Sequence, residues 1–145
     1  YNMFYGCTSL TTAPELPATT LNEQCYYGMF SYCTSLTTAP ELPATILYFN
    51  CYYEMFLDCT SLTSAPELPA TTLVEQCYYR MFNGCSNLSS IHYGNLTTEP
   101  SSTYCSNWVS GVRSTGTFYY KSGKTWTTPS SGTSTIPSGW TLSTY

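Results

Sequence analysis

Apolar residues recur along the first part of the chain at a fixed interval of 26 positions. Met3, Met29, Met55 and Met81 form one series, and Phe4, Phe30, Phe56 and Phe82 another. Cys7, Cys33, Cys59 and Cys85 form a third, and Leu10, Leu36, Leu62 and Leu88 a fourth. Cys25, Cys51 and Cys77 keep the same interval, and Cys105 continues that series two residues late. The segment APELPAT starts at Ala13, Ala39 and Ala65. Residues 25–50 and 51–76 agree at 18 of 26 positions, which composition alone cannot produce.

Within one unit, Cys25, Met29, Phe30 and Cys33 lie at i, i+4, i+5 and i+8, a spacing that predicts a helix of about two turns. Leu36, Ala39 and Leu42 then predict a short extended segment bent by Pro40 and Pro43, whose missing N–H groups limit ladder hydrogen bonding. Such a unit cannot bury its apolar face alone. Stacking on the next unit does so, with parallel strands about 4.8 Å apart. The expected fold class is therefore α/β, a solenoid of about four rungs, each a short helix plus a short parallel strand.

The repeat decays after Leu88, where SSIHYGNLTTEPSST replaces the APELPATT segment. Residues 1–89 read as the solenoid and 90–145 as an irregular C-terminal cap that seals its open end. In the cap, GTFYYKSGKTWTT predicts a β-hairpin turning at Ser122-Gly123. Tyr1 aligns with Tyr27, and the start has no initiator Met, basic segment or apolar segment, so a processed or truncated product with a missing preceding rung is expected.

Phe30, Cys33 and Leu36, with their counterparts in the other units, sit in a pattern MFxxCTSLTxAPELP. It resembles the bacterial surface-protein 26-residue repeats and the BspA-like class of leucine-rich repeats, with a tail like those of gut Bacteroidales proteins. The resemblance implies a right-handed leucine-rich-repeat-like solenoid. It also implies a cell-surface or secreted, adhesin-like module that binds a protein or glycan on a host or bacterial surface.

Composition narrows the chemistry. Ser and Thr supply 44 of 145 residues, while Asp and Glu number eight and Lys and Arg four. Four bases cannot track a phosphate backbone, so no nucleic-acid partner is expected. No apolar run approaches about 18 residues, so no membrane insertion is expected either. A surface poor in Lys and Glu and rich in Ser, Thr, Asn and Tyr fits an extracellular or surface-exposed protein.

The eight cysteines fall in two columns, Cys7, Cys33, Cys59, Cys85 and Cys25, Cys51, Cys77, Cys105. They read as buried thiols, with cross-rung disulfides as an alternative. Zinc fits poorly, because there is no CxxC and His92 is the lone histidine. Glu15, Glu41 and Glu67 form a carboxylate column, read as a solvated edge, with a calcium ladder as the alternative. A Cys85–His92 pair is the nearest approach to a catalytic set, and a core thiol is usually inert. No enzyme, no cofactor and no metal site is expected.

Variable positions point to contact surfaces. Tyr48 and Phe49 replace Asn22–Glu23 and Val74–Glu75, Ile46 adds apolar bulk to the same unit, and Leu57 does so in the next. Grouped aromatics of this kind mark contact sites or pack on a neighbouring rung. The pairs Tyr26-Tyr27, Tyr52-Tyr53 and Tyr78-Tyr79 predict an outward tyrosine stripe, for protein or glycan contact or for lateral packing, and for self-association if the scaffold is a spacer. Trp108, Trp126 and Trp140 could seal the cap or form a carbohydrate platform. A structural spacer in a surface filament or phage tail is a further reading of the same scaffold.

Overall fold

The computed structural model describes residues 1–94, 98–123 and 132–145. Its regular core is a four-stranded, wholly parallel sheet in the order β1-β2-β3-β4. The strands are β1 (Ser64–Leu68), β2 (Ser90–Tyr93), β3 (Thr117–Tyr120) and β4 (Thr141–Thr144). One short helix, α1 (Ser102–Cys105), lies between β2 and β3. The chain is thus α/β only in a coarse sense, with very little helix among the described residues.

The helix expected over Cys25–Cys33 does not form. Instead the backbone runs through overlapping turns. Cys25, Tyr27, Met29, Ser31 and Cys33 each donate an N–H to the carbonyl three residues back, at 3.1–3.3 Å. The intervening residues point their N–H groups the other way. Gln24, Gly28, Phe30 and Tyr32 donate to Phe49, Tyr53, Met55 and Leu57 of the following unit, at 2.7–3.0 Å. Gln24, Tyr26, Gly28 and Tyr32 have φ between 56° and 62°. Left-handed backbone at this density is incompatible with a right-handed helix. It is what turns with a left-handed third residue require.

The same arrangement runs along the chain. Phe4, Phe30, Phe56 and Phe82 donate to Met29, Met55, Met81 and Trp108 at 2.8–2.9 Å. The phenylalanine rings follow suit, stacked with centroids 5.5–5.7 Å apart. Phe30, Phe56, Phe82, Cys59, Cys85, Leu36, Leu62 and Leu88 are fully buried. Repetition therefore satisfies two needs together: most of the alternate amides find a partner in the next unit, and each apolar side chain finds its own copy to pack against.

The proline segments limit pairing as their chemistry demands. In the first two units only isolated parallel bridges form, Thr12 to Thr38 and Ile46 to Thr72. In β1 the register shifts between Ser64 and Glu67, at Ala65-Pro66, where Pro66 has no N–H to give. Once SIHY replaces the proline segment, pairing becomes continuous: Ser90 through Tyr93 match Thr117 through Tyr120 residue by residue. Sheet and core cross position 90 without a break. Phe82 and Gly84 donate to Trp108 and Ser110, and Val109 donates to Thr133.

The first strand of the expected hairpin is β3, which pairs with β2 on one edge and β4 on the other, both parallel. The chain does turn at Ser122-Gly123, where Gly123 has φ 98°. The expected return strand lies outside the described residues.

Candidate functional site

Three surfaces present side chains that the core does not absorb. The first carries the aromatic substitutions. Ile46, Tyr48 and Phe49 are 60%, 43% and 40% exposed. They flank Leu47, which is buried, so the chain alternates between core and solvent here. The Tyr48 amide donates to the Cys51 sulfur at 3.1 Å, which fixes the backbone under the exposed rings. Leu57, grouped with these residues from the sequence, is buried at 4% and belongs to the core. Its predecessor in the column, Ser31, is buried as well and donates to the Glu54 carbonyl at 2.6 Å. Variation in that column therefore does not mark an exposed surface.

The second surface is the tyrosine ladder. Tyr1, Tyr27, Tyr53 and Tyr79 stack with centroids 4.8, 4.4 and 4.3 Å apart, half-exposed from Tyr27 onward. Their partners within each pair turn inward: Tyr26, Tyr52 and Tyr78 stack at 6.0 and 6.1 Å, and Tyr78 meets Trp108 at 6.2 Å. Burial pushes the Tyr78 and Tyr93 hydroxyls well above their ordinary range. The Tyr93 hydroxyl donates to the Thr98 carbonyl at 2.8 Å.

The third surface lies on the solvent side of the sheet near its last strands. His92 of β2 stacks on Tyr119 of β3 at 4.3 Å and meets Tyr145 at 5.2 Å. The Tyr145 hydroxyl donates to Glu67 Oε1 at 3.2 Å. Lys121 Nζ is 3.7 Å from the same carboxylate and 5.2 Å from the Tyr145 ring centroid. Partial burial and the Glu67 charge push the Tyr145 hydroxyl up to about 12. Beside Glu67 opens a groove of about 420 Å³ lined by Pro40, Leu42, Pro43, Pro66 and Pro69. A sister groove of about 520 Å³ repeats it one unit earlier around Glu15 and Glu41. Glu67 and His92 are visible in the sequence as single residues. Their union with Tyr119, Lys121 and Tyr145 depends on the β1–β4 register, which the 26-residue interval does not encode.

Most of the remaining expected residues sit inside. Trp108 is fully buried and Trp140 is 5% exposed. Their indole N–H groups donate to Thr135 and Arg113 carbonyls at 2.7 and 2.8 Å, so neither offers a ring face to a sugar. Trp126 lies outside the described residues. All eight cysteines are free thiols, with Cys7 exposed, Cys25 half-buried and the rest buried. Cys33, Cys59 and Cys85 donate to the carbonyls of Phe4, Phe30 and Phe56 at 3.0–3.1 Å. Burial pushes Cys51 up to about 11 and Cys59 and Cys77 up to about 12, which suppresses the thiolate. Among the described residues, no group of three or more His, Cys, Asp or Glu could hold a metal ion, and no helix is long and apolar enough to cross a membrane.

Comparison of the chain with family models, with curated proteins and with solved structures finds no match.

Proposed function

We propose that this chain is a non-enzymatic interaction module, an adhesin-like piece of an extracellular or surface-exposed bacterial protein. In this reading it is a right-handed, leucine-rich-repeat-like solenoid of the BspA-like kind, and it binds a protein or glycan partner. The amide ladder between successive units supports the solenoid reading. The observation that carries the function is the exposure of Ile46, Tyr48 and Phe49 in one unit, where the neighbouring units carry polar or aliphatic residues. Aromatic groups on a rigid backbone offer contact area at low entropic cost.

The test is a binding screen against extracellular-matrix proteins, mucins, a glycan array and intact bacterial cells. A Tyr48→Ala/Phe49→Ala variant is run in parallel. Saturable binding that the variant loses supports the module and its site. Binding that the variant keeps overturns the site, and no binding to any target by the folded chain overturns the module.

A second reading, a spacer or assembly piece of a filament or phage tail, is favoured by a different observation. Tyr27, Tyr53 and Tyr79 form a half-exposed stack with centroids 4.4 and 4.3 Å apart along one side of the repeat. Such a stripe suits lateral association with another copy of the chain, and the mass in solution tests it.

A further inference from the structure

We propose that Glu67, His92, Tyr119 and Tyr145 form a binding site for an alkylammonium head group, a site that Lys121 occupies in this structure. The site is distinct from the Ile46–Phe49 surface and does not depend on it.

Four strands and the residues just beyond them bring the site together. Glu67 lies in β1, His92 in β2 and Tyr119 in β3, while Lys121 and Tyr145 directly follow β3 and β4. The Tyr145 backbone is fixed on both sides: its N–H donates to Tyr120 at 3.2 Å, and its carbonyl accepts from Ser122 at 3.3 Å. Its ring is thereby held against His92, and its hydroxyl orients the Glu67 carboxylate.

The chemistry of the cluster selects a cation. Aromatic faces carry negative potential, and a carboxylate beside them adds a full charge. Lys121 shows that an ammonium fits, 5.2 Å from the Tyr145 centroid and 3.7 Å from Glu67. Its hold is loose. Lys121 and Glu67 side chains are 45% and 53% exposed, and the pair is longer than the 2.8 Å Arg80–Glu54 bridge. A flexible four-carbon stem can swing away when a better cation arrives. A quaternary head is such a cation, because it gives up less hydration than a primary ammonium. The proline-walled groove that shares Glu67 leaves about 420 Å³ for the carbon skeleton attached to that head.

The shared chemistry could come from a trimethylated amine or from a lysine side chain of a peptide. Titration by calorimetry and by the His92 ring proton signals, at constant ionic strength with sodium chloride as the control salt, uses tetramethylammonium and Nα-acetyl-lysine amide as probes. Saturable binding is expected for tetramethylammonium, and the second probe shows whether a lysine head is also accepted. Lys121→Ala should tighten binding about 3- to 10-fold by removing the internal competitor. Glu67→Gln and Tyr145→Leu should each weaken it about 10-fold or more. All three side chains are exposed enough to change without unfolding the chain, which the far-ultraviolet spectrum verifies. Absence of saturable tetramethylammonium binding to both the parent and Lys121→Ala overturns the proposal. So does binding that Glu67→Gln and Tyr145→Leu leave unchanged. Either failure leaves the Ile46–Phe49 reading untouched.

Discussion

The thiol of Cys85 donates a hydrogen bond to the carbonyl of Phe56, 3.0 Å away and 29 residues back in the chain. Cys59 makes the same bond to Phe30 and Cys33 to Phe4. The cysteine column thus fastens each unit to the backbone of the one before it. A small apolar side chain would fill much of the space, but it would leave that carbonyl with the Cys59 amide alone, at 3.1 Å. Cys85→Ala should therefore cost about 1–2 kcal/mol, combining the lost thiol hydrogen bond with a small cavity. Cys85→Ser, which keeps a donor, should cost less. Urea denaturation of both variants measures the difference.

Thiol accessibility follows from the same column. Cys7 is exposed and Cys25 half-buried, while the other six thiols are buried. A thiol reagent added to the native protein should modify Cys7 first and Cys25 slowly. The remaining six should react only in denaturant, as mass spectrometry would show.

Alkaline pH should weaken the fold. The folded values of Cys51, Cys59 and Cys77 are raised to about 11, 12 and 12, above the ordinary thiol value of 9.0. In the unfolded chain these thiols ionise first, so above that value the unfolded state holds fewer protons. Their contribution is fully present below about pH 9 and is lost progressively toward about pH 12. Stability measured across this window should fall with rising pH, and replacing Cys59 with Ala should flatten the fall.

Gly116 is a site of close approach. A Cβ there would meet the Ser89 carbonyl oxygen and lie 2.7 Å from Trp140 Cε2. The oxygen belongs to the backbone that accepts the Thr117 amide at 2.8 Å, so it cannot yield cheaply. Gly116→Ala should lower stability by about 1–3 kcal/mol, read from the shift in thermal midpoint. Arg80→Ala, by contrast, breaks a partly exposed ion pair with Glu54 and should cost at most about 1 kcal/mol.

The sequence-level reading and the structure part company at identifiable residues. The columns of Phe, Met, Leu and Cys are legible because identical side chains at one interval must share one environment. The path of the backbone is not, because i, i+4, i+5, i+8 spacing suits a helix and a chain of turns alike. The distinguishing signal was the left-handed residues. Asn2, Gly28, Glu54 and Arg80 have φ of 50°, 56°, 52° and 47°, and Gly6, Tyr32, Asp58 and Gly84 have 70°, 62°, 56° and 77°. Gly, Asn and Asp recur there because they tolerate that region. Glu54, Arg80 and Tyr32 hid the pattern. Leu57 was misplaced for a related reason: a position can vary in sequence and still be packed. The exposure of Tyr48 and Phe49 was not legible either: the sequence allows a contact site or packing on a neighbouring rung, and the fold leaves the two rings 43% and 40% exposed.

The central claim is that successive units are joined by backbone hydrogen bonds into one rigid scaffold, on which the variable side chains are displayed. Amide hydrogen exchange at Phe30, Phe56 and Phe82 tests it most directly, because each N–H leaves its own unit, for Met55, Met81 and Trp108. The account predicts strong protection at all three, at the level of the amides of β2 and β3. Exchange at these amides near the rate of an unstructured peptide, while β2 and β3 stay protected, would contradict it.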